Sequence, residues 1–474
     1  MVSTIPHHIE GKDVPADDGR YLDNVNPWTQ EVTATLARGS VADVNAAVEA
    51  ARRAFDEGPW PRWSEAERSA ALHRLADLVN ANADVLAAAE AGDMGRPVQS
   101  ARSIDIPRAA DMFRFFGDHA ALATGETYPS GADHDAYVAY RPAGVVAAIT
   151  PWNHPLMLGA WKIAAPLAWG NTVVMKPAES SPTSAYLLAG LAIEAGIPRG
   201  VLNVVQGLGS EAGQALTDSA GVDRITFTGS TATGRRVAQA AAGNLVPVTL
   251  ELGGKGSSII APDADIELAA DLVSRAVFNN TGQVCLAGTR VLVHEDIRDE
   301  FTSRLVARAG AWSIGDPFAD GTTLGPLASA EQHRRVRSYY DRVEAEGGAV
   351  LCGGPGEGNV FAPTVVSGID PKGTVAQEEV FGPVATIIGY EGDDQAVTLA
   401  NDTAYGLTSV LITDSVARIR RMVPRLRSGT VWVNCYQVRD LRAPMGGRGA
   451  SGIGREGGTF SREFFTEPQA VFIA

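Results

Sequence analysis

The sequence predicts an α/β protein whose parallel sheets are covered by helices, and three observations carry that expectation. From Gly144 to Ala242, short apolar runs alternate with amphipathic stretches. After Gly254 a second series of the same kind continues to about Arg427. Alternating strand and helix units imply parallel sheets with helices on both faces. The chain has 474 residues, 45% of them hydrophobic and 20% charged. That length exceeds what one core supports, so two or more lobes are expected.

Taken in order, Val41 to Asp56 reads as a helix after Ser40, with Val44, Ala47, Val48, Ala51 and Phe55 on one stripe. Glu65 to Asp93 continues helical through Leu72, Leu75, Leu78 and Leu86, and Ser103 to Leu122 is a helix interrupted near Pro107. Between Thr127 and Arg141, polar residues alternate with Tyr128, Tyr137, Val138 and Tyr140, as in an exposed two-stranded ribbon. The first series then gives strands at Val145 to Thr150, Asn171 to Lys176, Asn203 to Val205 and Arg224 to Thr228. Its helices are Leu156 to Trp169, Ser184 to Ala195, Glu211 to Asp218 and a last one ending at Ala242. The second series includes helices at Ile266 to Phe278 and Ile297 to Arg308, and a strand at Thr430 to Asn434. The apolar end, Ala470 to Ala474, suits a strand added to another sheet.

Composition narrows the partners. A formal net charge of −15 repels phosphate backbones and anionic lipid, so neither nucleic acid nor a membrane surface is expected. Three cysteines, Cys285, Cys352 and Cys435, are too few for a disulfide framework and suit a reducing compartment. Met1 to Arg20 lacks an apolar signal core, and no apolar run reaches the roughly 18 residues that a bilayer requires. The cytoplasm is the expected location, and no metal site is assigned.

Two segments point to a dinucleotide. Arg224 to Gly234 passes from strand through a tight turn into a helix, where Gly229 admits close approach and Ser230 or Thr231 can cap. Unpaired N–H groups at such a helix start favour an anion, and a pyrophosphate would fit. An ordinary strand–helix turn would look the same. The strand ending in Lys176-Pro-Ala-Glu179 adds a carboxylate that can accept both adenosine ribose hydroxyls and would repel a 2′-phosphate. Glu179 therefore favours NAD over NADP, although alone it would pass for a solvated charge.

Thr249-Leu-Glu251-Leu-Gly-Gly-Lys255 sets an acid beside a Gly-Gly hinge, and Thr281-Gly-Gln-Val-Cys285 sets a cysteine in a short loop after a helix. Cys285 is either a buried small hydrophobe or a nucleophile. At this point the sequence resembles the aldehyde dehydrogenase superfamily over nearly its whole length. The motifs are Pro151-Trp152-Asn153-His154-Pro155, Lys176-Pro177-Ala178-Glu179, Phe227-Thr228-Gly229-Ser230, Glu251-Leu252-Gly253-Gly254-Lys255, Gly282-Gln283-Val284-Cys285 and Glu378-Glu379-Val380-Phe381-Gly382-Pro383, all in order.

The resemblance implies an aldehyde dehydrogenase-like α/β fold: a Rossmann-type NAD-binding domain (1–123 and 142–253), an α/β catalytic domain (254–445) and oligomerisation segments (124–141 and 461–474). It implies a homodimer or homotetramer, and a small-molecule aldehyde as substrate. Cys285 is implied as nucleophile, Asn153 and the Cys285 N–H as oxyanion donors, and Glu251 as the general base that hydrolyses a thioester. Lys162 falls behind the oxyanion region, as a catalytic contributor or in a structural ion pair. Thr150, Pro151, Trp152, Lys176, Glu179, Gly229, Ser230, Gly234, Leu252, Glu379 and Phe381 match the cofactor-binding positions.

For the substrate, Val438-Arg439-Asp440-Leu441-Arg442 resembles the branch acting on hydroxymuconate- and aminomuconate-type semialdehydes, which carry a carboxylate. Arg439, Arg442 and Arg108 are candidate anchors, since a guanidinium binds a carboxylate through two parallel hydrogen bonds. The plain alternative is that Asp440 pairs with Arg439 or Arg442 and braces a loop. His154, Leu158 and Met445 are expected on the tunnel wall, His154 without a proton role or with one. Met445 and Gly449 depart from the family's usual aromatic and lysine. A broad-specificity or biosynthetic aldehyde dehydrogenase with structural arginines is the alternative enzyme. A non-catalytic protein retaining the fold is the other alternative, disfavoured because Cys285, Glu251 and Asn153 are all present.

Overall fold

The computed structural model describes residues 3–129 and 133–474 and contains four sheets. Its first large sheet has eight strands. Five of them, Val145–Ile149, Thr172–Lys176, Leu202–Val204, Arg224–Thr228 and Val248–Glu251, run parallel. The two halves of this parallel set diverge at the join between Val145–Ile149 and Arg224–Thr228, whose register pairs Ile149 with Phe227. That is a topological switch point, where the loops leaving the two strands part and open a crevice. Antiparallel strands His7–Ile9 and Gly452–Ile453 attach at either side of the parallel set, so the chain returns late to the first sheet.

The second large sheet has seven strands, parallel apart from its edge strand Ala349–Pro355. Each large sheet is buried under its own apolar clusters, led by Phe113, Phe116 and Ile163 in one and Phe278, Phe301 and Trp432 in the other. Three strands, Ser3–Ile5, Tyr21–Val25 and Val32–Ala37, form a small N-terminal sheet. The fourth sheet joins Glu126–Tyr128 and Asp135–Pro142 to the C-terminal strand Thr466–Ile473.

Several expectations are met at residue level. The helices Val41–Asp56 and Ile266–Phe278 occupy the expected ranges. Ser40 and Asp43 form a reciprocal capping box, and Asp265 accepts from Leu268 N–H, so sequence chemistry fixes both starts. One expectation is corrected. The long helix from Glu65 divides at Asn82 into Glu65–Ala81 and Ala83–Met94. The expected interruption near Pro107 is present as a π-helical turn at Ala101–Asp105, just before the α-helix Ile106–Ala121 whose first turn holds the proline. The ribbon's two strands pair as expected and the C-terminal strand joins them as a third, as its apolar end suggested; residues 130–132 lie outside those described. Among the described residues no helix is long and apolar enough to cross a membrane.

Candidate active site

Cys285 stands where two cavities meet. Behind it, a cleft of about 180 Å³ opens at the switch point, lined by Trp152, Thr228, Gly229, Ser230, Glu379 and Phe381 among others. On its other side lies a chamber of about 390 Å³ that includes Arg108, His154, Leu158, Tyr436 and Arg439. Asn153 and Cys285 line both.

The loop that presents the thiol is held from several directions. Asn280 and Thr281 take left-handed backbone angles (φ 53° and 54°), which L residues adopt at a cost. Gly282 follows at φ 68°, where a Cβ would overlap the Gly382 backbone. Asn280 Nδ2 donates to Asn153 O at 2.8 Å, and Asn153 Nδ2 donates to Gln283 O at 2.8 Å. Thr281 O–H donates to Gly325 O, and Gln283 Oε1 accepts from Ala328 N–H. The two bonds through Asn153 tie the second sheet's cysteine loop to the first sheet's switch-point loop. Asn153 keeps a second amide proton to offer beside Cys285.

Burial pushes the Cys285 thiol up to about 12, with the Glu379 and Glu251 carboxylates adding to the rise and Arg439 opposing it. Glu251 is pushed up to about 8 by burial and by Glu456, against Lys162, Arg455 and Arg439. Its Oε1 has no hydrogen-bond partner and packs against Gly446, where a Cβ would stand 2.8 Å away. Glu251 lines neither cavity in this arrangement.

The cleft suits a dinucleotide. Ser230 caps the helix Thr231–Gly243, its Oγ accepting from Thr233 N–H at 3.2 Å, and Gly229 brings bare backbone to the cleft wall. Thr228 Oγ1 is buried there with no partner. Glu379 Oε1 accepts from Gly254 N–H at 2.8 Å, and its Oε2 occupies the space a Cβ on Gly253 would need. Burial raises Glu379 to about 7. Trp152 and Phe381 meet edge to face across the cleft, ring centroids 5.3 Å apart.

The sequence profile described as the aldehyde dehydrogenase family matches residues 14–471. The chain belongs to the aldehyde dehydrogenase family. It is 42% identical over 482 residues to 2-hydroxymuconic semialdehyde dehydrogenase of Pseudomonas sp. (strain CF600), covering 99% of each. It is also 42% identical over 470 residues to aldehyde dehydrogenase family 2 member B4, mitochondrial, of Arabidopsis thaliana, covering 98% of this chain and 87% of that one. Among solved structures it is similar to the NAD+ complex of aldehyde dehydrogenase from Bacillus cereus, with TM-score 0.97 and 37% identity over 99% of this chain and 96% of that chain. As a member of this family the protein is an enzyme, an oxidoreductase acting on aldehydes.

Within this aldehyde dehydrogenase, not every expected site residue reaches the cavities. Pro151 and Leu252 line the cleft, whereas Gly234 lies behind it, allowing the Leu252 side chain to pack closely on the helix. Thr150 donates its N–H to Lys176 O beneath the cleft. Lys176 Nζ bonds Glu179 Oε2 at 3.1 Å, and Glu179 lines a separate cavity of about 480 Å³. Lys162 is in the ion pair that was its alternative, 2.6 Å from Glu456 Oε1, behind Glu251. Arg442 is a correction: its side chain is 77% exposed and is held by Asp440, so it braces the loop and leaves the chamber to Arg439. Met445 faces a neighbouring cavity of about 290 Å³ that Arg439 also lines, not the Cys285 chamber.

Sequence reasoning missed Glu456. It accepts from Lys162, Trp161, Thr226 and Thr249, all from distant parts of the chain, and no local pattern marks it. It also missed Arg96 and Asp105, which lay in what read as plain helix and loop.

Proposed function

We propose that this enzyme oxidises an aldehyde bearing a distal carboxylate to the corresponding diacid, with NAD as the electron acceptor. The Cys285 sulfur, freed of its proton, adds to the aldehyde carbon. Asn153 Nδ2 and the Cys285 N–H donate to the oxyanion that forms. Bound in the Trp152–Phe381 cleft, NAD+ supplies the acceptor for the hydride that leaves this carbon. Glu251, turned from Gly446 toward the sulfur, takes a proton from water. The water oxygen adds to the thioester carbon, the C–S bond breaks, and Cys285 leaves as thiolate. Aldehyde and water thus become carboxylate and two protons, with one hydride passed to the cofactor.

The observation that carries this reading is the shared position of Cys285 and Asn153 on both cavities. For the carboxylate, support comes from Arg439. Its Nε is buried without a hydrogen-bond partner among the described residues, and its strongest charged neighbour is another cation, Arg108. Two half-buried guanidinium groups facing one chamber await an anion. For NAD over NADP, support comes from the Glu179 carboxylate at its strand end.

The same reading assigns nucleotide binding to the first sheet's lobe and the nucleophile to the second. The strand Thr466–Ile473, with Phe472 71% exposed and Ile473 52% exposed, is assigned to contacts within a homodimer or homotetramer. Three free cysteines keep the cytoplasm as the proposed compartment.

The test is NADH absorbance on mixing the protein, NAD and paired aldehydes of equal length with and without a terminal carboxylate. Faster turnover of the acidic member is expected. NAD binding without NADH formation from any aldehyde would sink the reading.

A further inference from the structure

The Cys285 chamber holds a buried histidine that the reaction above leaves idle. His154 follows Asn153 directly and lines the same space. It is 6% exposed, and its Nδ1 has no hydrogen-bond partner among the described residues. That nitrogen lies 3.6 Å from Asp105 Oδ2, just outside bonding reach. Asp105 is itself fixed, since Arg96 Nε donates to the same oxygen at 2.7 Å and both side chains are almost wholly buried. Arg96 also donates to Asn279 Oδ1 at 3.2 Å, beside the loop that leads to the nucleophile.

The backbone explains how Asp105 comes to be there. The π-helical turn Ala101–Asp105 leads into the helix Ile106–Ala121, and Ser100, Ile104, Asp105 and Arg108 all reach the chamber. The extra residue in a π-turn weakens hydrogen-bond geometry, and such turns occur frequently at functional sites.

Asp105 also selects the tautomer of the ring. Burial alone would raise its carboxyl, but Arg96 and His154 hold it well below the usual carboxylate range, so it stays ionised and only accepts. Burial lowers His154 as well, with Arg96 and Arg439 acting in the same direction against Asp105, while Glu90 also interacts with Asp105. A neutral ring facing an ionised carboxylate carries its proton on Nδ1. The lone pair is then on Nε2, at the ring edge turned to the chamber.

We propose that His154 determines specificity: its Nε2 accepts a hydrogen bond from a hydroxyl group on the substrate, between the aldehyde near Asn153 and the carboxylate near Arg439. Asp105 and Arg96 are positioning residues for it. The inference rests on the proposed oxidation of an acidic aldehyde and names a further feature of that substrate.

The test compares two ω-oxo acids of equal length, one hydroxylated on an intervening carbon and one not, varying the hydroxyl's position. The expected result is a wild-type preference in kcat/KM of about tenfold or more for a hydroxylated acid, since a site built around a polar partner rejects the analogue lacking it. His154→Leu should bring the ratio near one, and His154→Gln, which keeps an acceptor, should restore part of it. A wild-type ratio near one at every hydroxyl position overturns the assignment without any variant, as does a preference that survives in His154→Leu. Equal oxidation of both acids overturns only the role of His154, whereas oxidation of neither overturns the reaction as well.

Discussion

Replacing Arg439 with leucine should move activity and stability in opposite directions. With no substrate bound, the Arg439 guanidinium is a partly desolvated cation: burial lowers it first, Arg108 lowers it further, and its Nε bonds to nothing. Replacing such a charge by an apolar side chain is expected to stabilise the free enzyme by about 1–2 kcal/mol, because the desolvation cost disappears. In a chain of this length that corresponds to a Tm higher by about 1–3 °C. When an acidic aldehyde is bound, the same guanidinium becomes half of a charge-assisted pair. Truncating one partner of such a pair costs about 2–5 kcal/mol. Arg108 remains to hold part of the carboxylate, which places the loss near 2–3 kcal/mol, or roughly 30- to 150-fold in kcat/KM. A neutral aldehyde of equal length should lose far less. The assays are thermal unfolding without ligand and steady-state NADH formation with both aldehydes. A lower Tm together with equal losses on the two substrates would refute the reasoning and return Arg439 to a structural role.

Other outcomes follow from the same geometry. Glu251 is raised to about 8, so its base form grows as pH rises through that value, and steady-state turnover should climb between pH 7 and 9. Glu251→Gln should flatten that rise and slow turnover by roughly 10²–10⁴-fold while keeping a first-turnover burst of NADH in stopped-flow traces; an unchanged pH profile of the steady-state rate would exclude Glu251 as the base. Glu179→Gln removes a charge that opposes a 2′-phosphate, so the KM for NADP should fall roughly threefold to tenfold relative to that for NAD. Deleting residues 466–474 removes the outer strand of the three-stranded sheet and should shift light-scattering mass toward the monomer. An assembly of unchanged size would move the interface elsewhere.

Much of the fold was legible because its signals are local. The stripe through Val44, Val48 and Ala51 and the Ser40–Asp43 box define one helix completely. The five short strands before Ala37 left no readable period, since three to six residues cannot establish one and their pairing is set by distant partners. The site was legible in a different way. Cys285, Asn153 and Glu251 were singled out by motif, but their apposition depends on two sheets meeting, which no periodicity encodes. The sequence favoured Arg439 over Arg442 only narrowly. Backbone turns at Asn434 (φ 52°) and Gln437 (φ 56°) precede them, and only Arg439 reaches the chamber. Glu456 was invisible because its four donors are contributed by other strands and helices.

The left-handed run at Asn280 and Thr281 has a consequence for how this enzyme fails. Its cost, about 1–3 kcal/mol per residue, is sustained by Gly325 and Ala328 from the loop's own half and by Asn153 from across the seam. The cysteine's aim therefore depends in part on the docking of the two halves. Dilute urea should silence catalysis while the circular dichroism spectrum is still native, because the spring beneath the sulfur relaxes as soon as the seam loosens.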